Sequence, residues 1–268
     1  MTAEAPSPMQ ARQPEFTPAP GAAPLAVMVL AHARMETRLL MRNGEQVLLT
    51  LVIPLLLLAV GAASGDVLDL GSGRRIDVLT PGVLALAIIS TSFTSLAIAT
   101  GFERENGVLK RLGGTPLPRS GMLLGKVASL LAVTAVQVGV ICVAGQLLGW
   151  DPRGGVLGAL GVAALVAVGT WAFAALGLLM AGAFRAEATL AAANLLYVVL
   201  LVGGAVVVPL SSYPESIQGI VTVLPSGALA EGLRDALSGS GVGLAHVLVL
   251  VAWAVVGSAL TVRTFRWE

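Results

Sequence analysis

Between two long apolar runs, residues 103–126 read ERENGVLKRLGGTPLPRSGMLLGK. The ionisable residues of this stretch are Glu103, Arg104, Glu105, Lys110, Arg111, Arg119 and Lys126. Inside it, Val108, Leu109 and Leu112 follow helical spacing, and a helix breaker begins at Gly113. The stretch predicts a membrane helix that leaves the bilayer, forms one short surface helix, turns and re-enters. A charged loop that only sets the topology would have the same composition.

The overall composition is that of an integral membrane protein. Apolar residues make up 56% of the chain and charged residues only 12%, against about 25% charged in soluble domains. Mean hydropathy is +0.88, and a soluble domain of 268 residues could not hide that much apolar surface. The net charge of +1 and the lack of a basic block give no indication of a nucleic-acid partner. The single cysteine, Cys142, excludes an intramolecular disulfide.

Six apolar runs are long enough to cross a bilayer, which takes about 20 residues in a helix. They are continuous rather than alternating, and this favours helices over a membrane barrel. We therefore expect an all-α polytopic membrane protein. The predicted spans are residues 47–63, 78–102, 121–148, 156–184, 188–210 and 242–262.

The region before the first span has two parts. Residues 1–24 hold six prolines and predict a disordered tail, which leaves 25–268 as one membrane domain. Residues 25–42 predict a helix in which Arg34, Arg38 and Arg42 share one face. Such a basic amphipathic helix suits the headgroup layer of an anionic leaflet, where the arginines would anchor it. An extension of the first span is the alternative.

Lysines and arginines indicate the orientation. With six spans, both termini lie on one side of the membrane. That side has Arg34, Arg38, Arg42, Arg104, Lys110, Arg111, Arg119, Lys126, Arg185, Arg263 and Arg266, and the other has Arg74, Arg75, Arg153 and Arg234. The positive-inside rule therefore predicts cytoplasmic termini and a cytoplasmic 103–126 loop.

Residues 211–241, on the outer side, contain two helical patterns instead of a plain polar loop. In the second pattern Leu229, Leu233 and Leu237 recur at four-residue spacing, and Gly239 follows its end. We expect a short re-entrant helix pair before the last span. Two surface helices are the alternative.

The chain shows little chemistry of its own. It has no phosphate-binding Gly-x-x-x-x-Gly-Lys-[Ser/Thr] loop and no His-Glu-x-x-His pattern, so we expect no catalytic site, cofactor or metal in it. Polar side chains inside the spans could line a pathway, or could simply bond neighbouring helices. These residues are Ser90, Thr91, Thr94, Ser95, Gln137 and Asn194.

Taken in order, these features resemble the membrane subunit of type 2 ABC transporters, in particular bacterial drug-resistance permeases of the daunorubicin-exporter kind. The resemblance runs from residue 25 to the C-terminus. Its sharpest parts are ERENGVLKRL with Thr-Pro-Leu at residues 115–117, and VLPSGALAEGLRDALSG at residues 223–239.

The resemblance implies a mechanism. Residues 103–112 would be a coupling helix seated in a groove of a separate ATPase subunit, which would bind the ATP and magnesium. The apolar contact would come from Val108, Leu109 and Leu112, and the register from Glu103, Arg104, Glu105, Lys110 and Arg111. A second permease copy or paralogue would complete the pathway. The substrate would be amphiphilic, a drug or a lipid, exported across a bacterial inner membrane.

Two other functions fit a chain of this kind. A secondary carrier or channel would work without ATP, although the middles of the spans lack the Asp and Glu residues that ion-coupled transport commonly uses. A membrane anchor or assembly protein would move no substrate.

Overall fold

The computed structural model describes residues 21–63 and 74–265, which are helical with no strand among them. Besides α-helices, these residues form a π-helical segment, Ser90–Ser95, and a 3-10 turn, Leu210–Ser212. The helices of these residues are α1 (Leu25–Arg42), α2 (Gly44–Ala63), α3 (Arg75–Ile89), α4 (Leu96–Glu105), α5 (Val108–Gly113), α6 (Arg119–Leu147), α7 (Gly155–Ala183), α8 (Ala186–Gly203), α9 (Glu215–Val223), α10 (Pro225–Ser238) and α11 (Leu244–Thr264).

Five helices in the described residues are long and apolar enough to cross a membrane. They are Arg75–Glu105 (α3, the π segment and α4 together), α6, α7, α8 and α11. The first predicted span is shorter, with an apolar part at Thr50–Ala63 in α2. The all-α polytopic prediction is confirmed, and the count of six stays a prediction.

The span made of α3, the π segment and α4 is the centre of the bundle. In its apolar window 78% of the residues are buried inside the chain, and in α7 61%, against 28% in α6. Small residues permit this closeness. A Cβ atom on Gly177 of α7 would lie 2.8 Å from the Phe93 carbonyl oxygen. The outer helices α6, α8 and α11 turn most of their apolar surface away from the chain.

Helix α1 has the predicted bounds, residues 25–42, and packs along α6. Arg34, Arg38 and Arg42 are exposed on its outer face, as expected. Of the predicted disordered tail, residues 1–24, the first 20 residues lie outside the described part of the chain. We call the end of the bundle that holds α1, α5 and the start of α6 the α1 end.

Helices α9 and α10 form the predicted helix pair before the last span. Helix α10 packs against α3, α7 and α11, and Leu229, Leu233 and Ala236 are fully buried. It ends at Gly239, whose φ of 91° lies in the left-handed region that glycine adopts readily. Because it meets the beginnings of α3, α7 and α11, it defines the opposite end of the bundle, the α10 end.

Two sequence predictions need correction. The fifth span ends at Gly203 and not at residue 210, because Gly204 and Ala205 turn the chain and Ala205 takes a positive φ of 54°. Residues 103–112 are not one helix. Gly107, with a φ of 69°, separates the end of α4 from the six-residue α5.

Helix α10 lies very close to α7 at Gly158, and this contact generates a prediction. A Cβ atom on Gly158 would lie 2.4 Å from the Ala236 carbonyl oxygen, whereas one on Gly139 of α6 would meet nothing within 4 Å. We expect Gly158→Ala to lower the free energy of unfolding by about 1–3 kcal/mol through overpacking. Gly139→Ala should be neutral or slightly stabilising.

Unfolding of the two variants in detergent, followed by circular dichroism, checks this. Equal midpoints for Gly158→Ala and Gly139→Ala would contradict the close approach of α10.

Candidate functional site

A buried lysine joins three helices at the α1 end. The Lys126 side chain of α6 is 1% exposed, and its Nζ donates hydrogen bonds to Glu36 Oε1 of α1 at 2.8 Å and to Glu103 Oε2 of α4 at 2.8 Å. Gly125 makes the approach possible, since a Cβ atom there would lie 2.5 Å from Cδ2 of His32. Lys126, Glu36 and Glu103, with His32, form what we call the inner charge cluster.

The cluster holds more acid than base. The two carboxylates of Glu36 and Glu103 share the one ammonium of Lys126, and the fourth member, His32, is 5% exposed. Burial lowers the pKa of the His32 imidazole, and the Lys126 charge lowers it further against the opposing effect of Glu36. Burial therefore disfavours the charged form of His32, and the cluster has two carboxyl groups for the one ammonium of Lys126.

A cavity of about 180 Å³ opens beside the cluster. It lies between α1, α2, α4, α6 and the π segment. Its walls combine charges, hydroxyls and aliphatic side chains, and the exposed Leu39 and Asn43 stand at its mouth. The lining residues are Glu36, Leu39, Leu40, Asn43, Thr50, Thr91, Ser95, Leu96, Ala99, Glu103, Lys126, Ser129, Leu130 and Val133.

At the far side of the cavity from the cluster, a hydrogen-bond chain crosses three spans. Thr91 Oγ1 donates to Gln137 Oε1 at 3.0 Å, and Gln137 Nε2 donates to the Thr50 carbonyl oxygen at 3.4 Å. Thr91 and Glu103 are twelve residues apart, or about 18 Å along a helix. This hydrogen-bond chain and the inner charge cluster lie at opposite sides of the same cavity, which we call the polar compartment.

The structure brings together only some of the predicted pathway residues. Thr91, Ser95 and Gln137 lie at this compartment. Ser90 is hydrogen-bonded to Tyr197 of α8. Asn194 is exposed, and its Nδ2 donates to the Leu190 carbonyl oxygen of its own helix at 2.9 Å, away from the compartment.

Thr94 has another position. Its hydroxyl is buried and has no hydrogen-bond partner among the described residues. The hydroxyls point in different directions because they lie on a π-helical turn of the central span. Such π turns are often found at functional sites.

The sequence model for proteins described as "ABC-2 family transporter protein" matches residues 74–263, which is most of the chain. The chain belongs to the ABC-2 transporter family. It is therefore a multi-pass membrane permease subunit, of a family that works with an ABC ATPase subunit. No curated protein matches the chain.

The sequence predicts eight residues of this loop as contacts to an ATPase. In the structure of this ABC-2 permease, some of them pack inside the chain instead. Leu109 is 0% exposed and packs against Met122 and Phe265, with Leu112 beside them. Arg104 donates hydrogen bonds to the carbonyl oxygens of Gly182 and Phe184 at the end of α7. These residues hold the loop to the bundle. Glu103 belongs to the inner charge cluster.

Four of the eight predicted coupling residues remain exposed, and we call them the α5 face. Val108 is 40% exposed, and its position beside charged residues makes it a small apolar contact with a polar rim. The members of the α5 face are Glu105, Val108, Lys110 and Arg111.

The α10 end of the permease has its own buried arginine, which sequence reasoning treated only as an outer charge. Arg234 Nη1 donates to Glu231 Oε1 and to the Ala205 carbonyl oxygen, both at 2.6 Å, and Nη2 donates to the Val206 carbonyl oxygen at 2.9 Å. It thereby binds two carbonyl groups of the turn that follows the end of α8 at Gly203. The i,i+3 spacing of Glu231 and Arg234 was the available signal.

A similar signal pointed to the inner charge cluster. His32 and Glu36 are four residues apart, on the face of α1 opposite Arg34, Arg38 and Arg42. A second polar stripe on an amphipathic helix indicates a buried partner, because the remaining face must pack. The sequence did not say that the partner was Lys126.

The inner charge cluster generates a stability prediction. Lys126→Met leaves two buried carboxylates without their counter-ion, and we expect it to lower the free energy of unfolding by about 3 kcal/mol or more. Lys110→Met, at an exposed lysine, is the matched control. Adding Glu36→Gln and Glu103→Gln to Lys126→Met removes the stranded charges and should recover most of the loss.

Thermal unfolding in detergent, followed by circular dichroism, measures all three. The cluster would be refuted if Lys126→Met and Lys110→Met unfolded at the same temperature, or if the triple variant were no better than Lys126→Met.

Proposed function

We propose that the chain is the membrane subunit of an ATP-driven exporter that moves an amphiphilic substrate, a drug or a lipid, out of the cytoplasm. It acts with a separate ATPase, which carries ATP and magnesium, and with a second permease, identical or paralogous. It lies in a bacterial inner membrane with both termini in the cytoplasm. The observation that carries this proposal is the α5 face, exposed at the end of the bundle that holds most of the basic residues.

The contacts of the hairpin support a coupling role. Leu109 ties α5 to Met122 at the start of α6 and to Phe265 just beyond α11. Arg104 ties the end of α4 to the end of α7. A displacement of α5 by a bound ATPase is therefore passed through Leu109 to the start of α6 and the residue after α11, and through Arg104 from the end of α4 to the end of α7.

Helix α1 supports the placement in the membrane. Its exposed face carries Arg34, Arg38 and Arg42 among apolar residues such as Leu30 and Met35. This combination binds an anionic leaflet surface. The arginines thus anchor α1 at the headgroups while Glu36 holds it to α6.

The α5 face generates the test for the ATPase contact. We expect Val108→Asp and Arg111→Glu each to lower recovery of the ATPase with the tagged permease about tenfold, equivalent to 1.4 kcal/mol of binding free energy. Both side chains are exposed, so the fold should persist. Leu109→Asp is less informative, because it would break packing within the chain.

Glu215→Lys, at an exposed residue of α9, is the control and should leave recovery unchanged. Export assays in inverted vesicles with the same variants complete the measurement. If both α5-face variants bind the ATPase and export as well as the unaltered chain, the docking role is wrong.

The orientation has a separate test. We expect a cysteine at Thr115, an exposed residue after α5, to react with a membrane-impermeant maleimide only after cells are opened. Ser212→Cys, exposed at the α10 end, should react in intact cells. Both variants are made in a Cys142→Ser background, since Cys142 is the one native cysteine. Labelling of residue 115 in intact cells would overturn the proposed topology and the docking with it.

A further inference from the structure

Among the residues that the structure describes, the cavity beside the inner charge cluster has two carboxyl groups and one ammonium. Glu36 and Glu103 both pair with Lys126, and His32 Nε2 lies 3.5 Å from Glu36 Oε1. The arginines of α1 are exposed on its other face. A second carboxylate in a mostly buried site is costly unless a cation or a proton neutralises it.

Aliphatic side chains line much of the rest of the cavity. Leu39 and Leu40 come from α1, Leu96 from α4, and Leu130 and Val133 from α6. The hydroxyls of Thr91 and Ser95 are set farther along the central span. A molecule that fills this space needs a positive head at the carboxylates and a hydrocarbon part against the leucines.

We propose that this cavity binds the ammonium head of a cationic amphiphile, which is the form in which the permease takes up its substrate from the inner leaflet. The inference rests on the proposed function and adds the charge of the substrate to it. Glu36 and Glu103 both contact Lys126 Nζ and share the ligand's ammonium. The exposed Leu39 and Asn43 at the mouth give a route from the headgroup layer, where α1 lies. The volume of about 180 Å³ accommodates the head and the first carbons, with the rest of the ligand extending into lipid.

The test compares a cationic probe with a neutral probe that has the same hydrocarbon chain. One is a dansyl-labelled dodecyl chain that ends in a trimethylammonium group, and the other is the same chain ending in a hydroxyl. Each is titrated against the full-length chain in uncharged detergent micelles, and empty micelles provide the background. We expect the ammonium probe to bind at least about tenfold more tightly, since an ion pair in a partly buried site exceeds that factor.

Variants locate the preference. Glu103→Gln leaves Lys126 balanced by Glu36 alone, so the fold should persist while the preference for the ammonium probe falls to about twofold or less. Glu36→Gln should act in the same way and provides a second chance if the first variant fails to fold. Glu187→Gln removes an exposed carboxylate from the start of α8 and should keep the full preference.

Crosslinking of the unaltered chain gives a readout that needs no variant. With a diazirine on the first carbons of the ammonium probe, we expect labels in the α6 peptide that contains Leu130 and Val133, absent with the hydroxyl probe. Equal affinities of the two probes, a preference unchanged by both Gln variants, or identical label maps would each overturn the proposal.

The ammonium could belong to a cargo molecule or to an amine lipid. Phosphatidylethanolamine added to the micelles distinguishes them, because a lipid-binding site loses the probe and a cargo site keeps it. Binding is measured without the ATPase, so the two proposals can fail separately. If export depends on the α5 face but the probes show no charge preference, only the assignment of the cavity is wrong. If the probes show the charge preference but the ATPase is not recovered with the permease, only the proposed exporter function is wrong.

Discussion

The Lys126 ammonium, held between two carboxylates and shielded from solvent, is the interaction on which the α1 end depends. Its partners Glu36 of α1 and Glu103 of α4 lie 90 and 23 residues before it in the sequence. A buried ion of this kind has to be paired, because an isolated one costs several kcal/mol. The ion pair therefore fixes where α1 lies and which way the central span faces.

The central span is held near both of its ends. At the α1 end Glu103 binds Lys126. At the α10 end α3 packs closely on the chain after α8, since a Cβ atom on Gly82 would lie 2.4 Å from the Val206 carbonyl oxygen, to which Arg234 donates. The six-residue connection between α8 and the 3-10 turn therefore lies between α3 and α10. A permease has to change shape, and these two contacts are where a change of shape has a defined cost.

The sequence predicted the features that depend on local chemistry. Apolar run length placed the long helices, the spacing of arginines placed α1, and the glycine pair at residue 113 ended α5. Features that depend on distant partners were out of reach. Leu109 has the same helical pattern whether it faces an ATPase or Phe265, which lies 156 positions later in the chain. The sequence prediction carried the fifth span past Gly203 on hydropathy alone. Arg234, which binds the turn after α8, belongs to α10 and lies far along the sequence.

The π segment has a consequence for the rotation of the central span. An α-helix advances about 100° per residue, so one residue more or less turns everything beyond it by that angle. A π turn accommodates such an extra residue without breaking the helix. Rewinding Ser90–Ser95 as a regular α-helix with the same number of residues would swing Glu103 about a quarter-turn away from Lys126, while Gly82 kept its place. The π segment therefore sets how α4 is rotated relative to α3, and so which way each end of the central span faces.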